Sequence, residues 1–190
     1  MQLPSFELER YFARYEFSAR WLLSSSDCEA LAMEELLAMA DAESRRLWDA
    51  LKLGYTESAG HPRLREMIAG TYDDLMPDDV LVAAPEEAIL LAMQALLKPG
   101  DHLVCTYPGY QSLYEVPRAI GCRVDFWEPE EGDRWAFDVD RLAGVLQPGT
   151  RLVVVNFPHN PTGALPPPEQ FAAMVDLLRE GGIPLFGDEM

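Results

Sequence analysis

The chain has 190 residues, 48% of them hydrophobic and 25% charged, with 32 acidic side chains against 15 basic ones. That length supports one domain with a substantial core, and the composition excludes an intrinsically disordered chain. A formal net charge of −17 argues against nucleic acid and against anionic membrane surfaces as partners.

Residues 1–27 carry a run of aromatics (Phe6, Tyr11, Phe12, Tyr15, Phe17, Trp21) and no apolar signal-peptide core. They are expected either to pack on another subunit or to cover this domain's own core. Ser26 or Asp27 is expected to cap the helix that follows. From 28 to 51 the apolar positions Leu31, Leu36, Leu37, Leu47, Trp48 and Leu51 recur at helical spacing, with a break expected near Asp41. Residues 54–62 read as a loop and 63–72 as a further helix. The order then becomes regular: strand 80–82, helix 86–97, strand 102–105, helix 110–120, strand 123–127, helix 138–146, strand 151–155, helix 168–180 and strand 183–186. Strands alternating with ten-residue helices predict an α/β fold with a mostly parallel sheet flanked by helices.

The longest uninterrupted apolar run, 88–93, is too short to span a bilayer. Cys28, Cys105 and Cys122 are an odd set without C-x-x-C spacing, so neither a disulfide framework nor a zinc site is indicated. The expected location is a reducing cytoplasm.

Several stretches carry chemistry. Leu152-Val-Val-Val155 is a continuous branched run suited to a strand buried on both faces, and Pro158, Asn160, Pro161 and Gly163 force a turn directly after it. Ligands of open α/β sheets lie beyond the carboxyl ends of the strands, so Asn160 is placed where a ligand would be. Read alone, Asn-Pro-Thr-Gly is equally a well-made turn. Tyr107 and Tyr110, after the strand at 102–105, either stack on a planar ligand or pack beside a Pro-Gly turn. Asp188 ends the last strand, where a carboxylate suits a cation, a metal or a protonated ring nitrogen. Residues 54–65 form a glycine-bounded loop whose hydroxyls either face a phosphate or merely connect. At 83–88 a strand-to-helix turn offers an anion site, yet Pro85 has no N–H to donate, and Glu86 and Glu87 repel a phosphate. No G-x-G-x-x-G follows any strand, which disfavours a Rossmann-type nucleotide binder.

Taken in order from Leu53 to Asp188, these residues resemble the fold-type I pyridoxal-phosphate enzymes of the class I/II aminotransferase family. The matching elements are Tyr55, Gly60 and Leu64-Arg65, the turn before Glu87-Ala88-Ile89, Leu97-x-Pro-Gly-Asp101, Tyr107-Pro-Gly-Tyr110, Asn160-Pro-Thr-Gly163 and Asp188-Glu189. The resemblance implies the large domain of the aspartate aminotransferase-like fold. It implies pyridoxal 5′-phosphate as cofactor, with Asp188 pairing with the pyridine nitrogen so that the ring stays an electron sink. Asn160 would donate to the phenolic oxygen and Tyr107 would stack on the ring. Tyr55 would reach a neighbouring subunit's phosphate, implying a homodimer. Ala84 and Pro85 would flank the phosphate on the chain's own side, with Ser112 or Thr106 as substitutes for the donor that Pro85 lacks. An amino acid/2-keto acid pair would be the substrate.

The family's Schiff-base lysine lies beyond the Asp-Glu strand, and neither Lys52 nor Lys98 stands in that position. The expectation is therefore an N-terminal part of a longer enzyme, holding about half of a cofactor site and inactive alone. Residues 1–52 would be an arm and helix and 53–190 an incomplete cofactor-binding domain. The alternatives are a half-length dimerising partner without catalysis, or lyase or cyclising chemistry on the same scaffold.

Overall fold

The computed structural model of the chain describes residues 2–25 and 28–189, so the cap expected at Ser26 or Asp27 lies outside the described residues. In chain order its elements are α1 (Glu7–Tyr15), α2 (Met33–Ala38), α3 (Ala42–Asp49), α4 (Pro62–Ala69), α5 (Pro85–Leu96), β1 (His102–Thr106), α6 (Ser112–Ile120), β2 (Arg123–Trp127), α7 (Val139–Val145), β3 (Thr150–Asn156), α8 (Pro168–Glu180) and β4 (Leu185–Asp188). Contacts divide it into two compact units, one of Met1–Ser26 with Pro85–Met190 and one of Asp27–Ala84. The sequence boundary at 52/53 falls inside the second of these.

Within the unit of Asp27–Ala84, the break expected near Asp41 separates α2 from α3. The Asp41 carboxylate accepts the Ser44 N–H at 2.7 Å, capping α3, and that bond holds its pKa below the usual carboxylate value. Residues 80–82, expected as a strand, join no sheet. Their backbone groups are claimed locally instead: Arg65 Nε donates to the Val80 carbonyl at 2.9 Å, and the Val82 N–H donates to the Ala59 carbonyl at 2.9 Å. Branched side chains gave these residues strand propensity, but a side chain and a loop took the partners a ladder needs. The approach is close enough that a Cβ on Gly60, which sits at φ +107°, would stand 2.5 Å from Val82 Cγ2.

The other unit holds the sheet, four parallel strands in the order β2-β1-β3-β4. Period-two alternation along β1 and β3 feeds two cores. Leu103, Cys105, Leu152 and Val154 pack with Ile89 and Met93 of α5 and Leu113 and Val116 of α6. On the opposite face Val104, Val153 and Val155 pack with Leu142 of α7 and Met174 and Leu178 of α8. Helices thus cover both faces, which is why β3 reads as an unbroken apolar run. Cys105 and Cys122 are buried free thiols, whereas Cys28 is exposed. The other elements expected from residue 86 onward are present with ends moved by at most two residues, as at Ser112, where α6 starts after the 107–111 turn, and at Asp188, where β4 ends; α4 stops three residues early at Ala69, and the helical stretch expected from 28 starts at Met33.

Candidate functional site

In the order β2-β1-β3-β4 the chain runs outward from β1 to β2, then crosses back to β3 and continues to β4. The direction reverses between β1 and β3, and the crevice beyond their carboxyl ends is where open α/β sheets bind ligands. Both loops singled out in the sequence, 107–111 after β1 and 157–163 after β3, flank this point.

Asn156, the last residue of β3, organises the edge although the sequence reading passed over it. It is 1% exposed. Its N–H donates to Thr106 Oγ1 at 3.2 Å, closing the seam between β1 and β3. Its Nδ2 donates to the Asp188 carbonyl at 3.1 Å, and the Phe157 N–H reaches the same oxygen at 3.0 Å. Its Oδ1 accepts the Asn160 N–H at 2.7 Å. One buried amide therefore fixes Asn160 and Asp188 relative to the strand ends. A polar residue closing the run 152–155 was the available signal.

His159 was missed as well. It is 1% exposed, lying edge-on to Phe137 with centroids 4.8 Å apart. Nε2 is 2.6 Å from the Pro108 carbonyl, which only accepts, so the proton resides on Nε2. Nδ1 then accepts from the Thr162 hydroxyl at 2.7 Å, while Thr162 Oγ1 takes the Ala164 N–H at 3.2 Å. Burial pushes the imidazole pKa down, against a smaller upward pull from the Pro108 carbonyl. A neutral histidine of defined tautomer thus ties the loop after β3 to the loop after β1.

The two tyrosines of that second loop differ. The Tyr107 ring stacks on Phe126, with centroids 4.2 Å apart and planes at 24°, and meets Tyr114 edge-on at 5.8 Å. One of its faces is therefore covered by β2. Tyr110 lines a cavity of about 320 Å3 with Phe6, Gln111, Asn160 and Pro161. The Phe6 ring rests 4.9 Å from that of Tyr110. Gln111 holds the arm there: its Nε2 donates to the Ser5 carbonyl at 2.8 Å, and its Oε1 accepts the Glu7 N–H at 3.0 Å. The arm residues 5–7 therefore cover their own unit.

At the start of α5, Glu86 Oε2 accepts from Ser112 Oγ at 2.6 Å. Burial, then a hydrogen bond to Glu86 and that residue's charge, push the Tyr110 hydroxyl pKa well above its ordinary range, with Glu9 and Asp188 adding smaller repulsions. Thr106 Oγ1 is engaged by Asn156. Both hydroxyls considered as substitutes for the missing Pro85 donor thus have protein partners. Pro85 opens α5 and is exposed; Ala84 and Tyr55 belong to the other unit and are exposed, Tyr55 fully so. Among the described residues no group of three or more His, Cys, Asp or Glu is placed to hold a metal ion, and no helix is long and apolar enough to cross a membrane.

By chemical type, a carboxylate such as Asp188 suits a protonated pyridine nitrogen and an amide such as Asn160 suits a phenolate, and both residues stand at the carboxyl edge of the sheet, after β3 and at the end of β4. Lys98 follows α5 and precedes β1, on the amino side of the sheet, and Lys52 lies in the other unit.

The family profile described as aminotransferase class I and II matches residues 21–190. Capreomycidine synthase of Streptomyces vinaceus is 36% identical over 191 aligned positions, covering 98% of this chain and 48% of that protein. Aspartate/prephenate aminotransferase of Thermus thermophilus is 34% identical, covering 77% of this chain and 40% of that protein. Among solved structures, a PLP-dependent aminotransferase from Streptococcus suis superposes with a TM-score of 0.89 at 30% identity, covering all of this chain and 52% of its own. The chain spans about half the length of these relatives.

Proposed function

Because the chain belongs to the class I and II aminotransferase family, with the fold of its pyridoxal-phosphate enzymes, we propose that it supplies one wall of a pyridoxal 5′-phosphate site for transamination of an amino acid with a 2-keto acid. The observation that carries this reading is the Asn156 amide, which holds the Asn160 N–H and the Asp188 carbonyl at the carboxyl ends of β3 and β4, next to the β1/β3 switch point. When bound, the cofactor supplies an electron sink for the substrate's Cα–H electrons. In this reading Asp188 keeps the ring nitrogen protonated and Asn160 holds the phenolic oxygen. Tyr110, which shares the cavity with Asn160, is a better aromatic wall than Tyr107, whose ring is stacked on Phe126. Ala84 and Pro85 border the phosphate on the chain's own side, and Tyr55 reaches a partner's cofactor in a cytoplasmic homodimer. Residues 53–190 act as the N-terminal portion of the cofactor domain, with 1–52 as arm and helix. The Schiff-base lysine comes from outside these 190 residues.

The test is titration of the chain with pyridoxal 5′-phosphate, followed by fluorescence, for wild type, Asp188→Asn and Asn160→Ala. Saturable binding weakened at least tenfold by each substitution is expected. Equal, weak binding by all three proteins would sink the proposal.

The positions of Lys52 and Lys98 favour a second reading, a non-catalytic partner that assembles with a full-length relative. Borohydride treatment in the presence of cofactor distinguishes the two. Specific trapping on one lysine of an assembled enzyme supports catalysis, whereas stable mixed dimers without trapping support the partner role.

A further inference from the structure

The cavity between the arm and the loop after β1 has a chemistry that the ring contacts leave unused. At about 320 Å3 it stands at the small end of ligand pockets, which run roughly 300–1,000 Å3, so it suits one side chain rather than a cofactor with its substrate. Asn160 and Tyr110 line it, which makes it continuous with the proposed ring site. Phe6, Tyr110 and Tyr114 give it aromatic surface, and Glu7 is the one charged residue among the described residues that line it. No ion pair among the described residues engages Glu7. Arg118 lies 5.6 Å from the Tyr114 ring centroid, but it is paired with Glu115 at 2.8 Å. The donors that an anionic side chain would need are already taken. Gln111 Nε2 donates to the Ser5 carbonyl at 2.8 Å, the Asn160 N–H to Asn156 Oδ1 at 2.7 Å, and the Tyr110 hydroxyl bonds to Glu86. The charges acting on that hydroxyl, from Glu86, Glu9 and Asp188, are all negative.

We infer that this cavity is a subsite for a cationic side chain, so that the amino acid handled at the ring site ends in an amine or a guanidinium and Glu7 is the residue that selects it. The inference rests on the cofactor reading above and deepens it by naming the substrate class. A cation entering the cavity meets a carboxylate and aromatic faces, whose quadrupole attracts positive charge. A carboxylate entering it meets repulsion from Glu7 and finds the amide and hydroxyl donors occupied. An aliphatic side chain covers the same rings but gives nothing to Glu7, so charge rather than bulk decides between them. The Glu7 N–H is held by Gln111 Oε1 at 3.0 Å, a backbone attachment that survives replacement of the Glu7 carboxylate by an amide.

The probes are the reduced conjugates of pyridoxal 5′-phosphate with the α-nitrogen of L-lysine, L-norleucine and L-glutamate, stable secondary amines that require no lysine of the protein. Calorimetric titration of the wild-type chain is expected to rank them in that order of affinity, the lysine conjugate binding at least about fivefold tighter than the norleucine conjugate. Glu7→Gln is expected to bring that ratio below about twofold. Glu16→Gln, which removes a charge at the other end of α1, is expected to leave the ratio as it is in wild type. Binding of the conjugates with a smaller wild-type ratio, or with a ratio that Glu7→Gln does not lower or that Glu16→Gln lowers as much, overturns the inference and leaves the cofactor reading standing. Binding of none of the three refutes the cofactor reading, and n-butylguanidinium then reads the cavity alone. Saturable amide shifts at Tyr110 and Gln111 that Glu7→Gln abolishes uphold the cation subsite. Their absence from wild type, or their persistence in Glu7→Gln, overturns it.

Discussion

His159→Phe isolates what a single buried imidazole does for the site. Phenylalanine keeps a ring against Phe137 but abandons the Pro108 carbonyl at 2.6 Å and the Thr162 hydroxyl at 2.7 Å. Each neutral hydrogen bond contributes about 1 kcal/mol net, and a stranded partner costs about 1–3 kcal/mol when water does not reach it. Pro108 is an exposed residue, so water meets part of its carbonyl's need, and the expected loss is about 2 kcal/mol. The assay is urea unfolding followed by tryptophan fluorescence, since Trp127 lies 5.0 Å from Phe137 in the same aromatic cluster. His159→Gln keeps a donor and an acceptor but does not titrate, which gives the matching pH experiment. Burial holds the folded-state pKa of His159 below the ordinary value of about 6.5. The contribution is thus fully present above about pH 6.5, where the ring is neutral folded or unfolded. As pH falls, the unfolded chain takes the proton first, and the contribution is lost down through the folded-state value. The acid side of the stability curve is therefore expected to be steeper in wild type than in His159→Gln. A His159→Phe protein within about 0.5 kcal/mol of wild type, or identical acid limbs, would refute the tautomer and the tie it represents.

Three further substitutions or probes address other parts of the chain. Asn156→Ala removes the bonds to Asn160 and to the Asp188 carbonyl from a buried position; it is expected to cost about 2–3 kcal/mol in urea unfolding and to weaken pyridine-ligand binding, and unchanged values in both would remove Asn156 from its organising role. Disulfide-exchange reagent at pH 8 is expected to modify Cys28 rapidly and to leave Cys105 silent, because burial pushes that thiol up to about 12, with Cys122 slow for the same cause; three equally fast thiols would contradict the packing. Gly60→Ala puts a methyl 2.5 Å from Val82 Cγ2 at φ +107° and is expected to cost at least about 1 kcal/mol, read as a lowered Tm, with no change in Tm as the contrary result.

The sheet was legible because both of its faces are covered: continuous apolar runs separated by helices leave few other architectures open. Residues 80–82 broke that logic, since Val-Leu-Val has strand propensity whether or not a neighbouring strand exists. The Arg65 side chain and Ala59 carbonyl that take its backbone groups are loop and helix partners invisible to periodicity. The site was legible as a set of loops and less so as individual side chains. Asn160 and Asp188 stand at strand ends because the chain must turn there. Tyr107 and Tyr110 are the same residue type three positions apart, and the packing of Phe126 and Tyr114 against one ring and of Phe6 against the other separates their surroundings. His159 reads as one more turn residue until Phe137 and Pro108, remote in sequence, enclose it.

The Gln111 side chain has a consequence for traffic through the site. By giving one bond to Ser5 and taking one from Glu7, it imitates the backbone of an adjoining strand, so the arm is fastened by the smallest unit of β-pairing. Two such solvent-facing bonds are together worth at most about 2 kcal/mol, or roughly a thirtyfold preference for the fastened state. On those two bonds alone the arm would be unfastened about 3% of the time; the Phe6 ring on Tyr110 lowers that share, and the sheet below stays folded while the arm lifts. Access for a small molecule becomes a matter of local breathing, governed by the Gln111 amide and the Phe6 ring rather than by the stability of the domain.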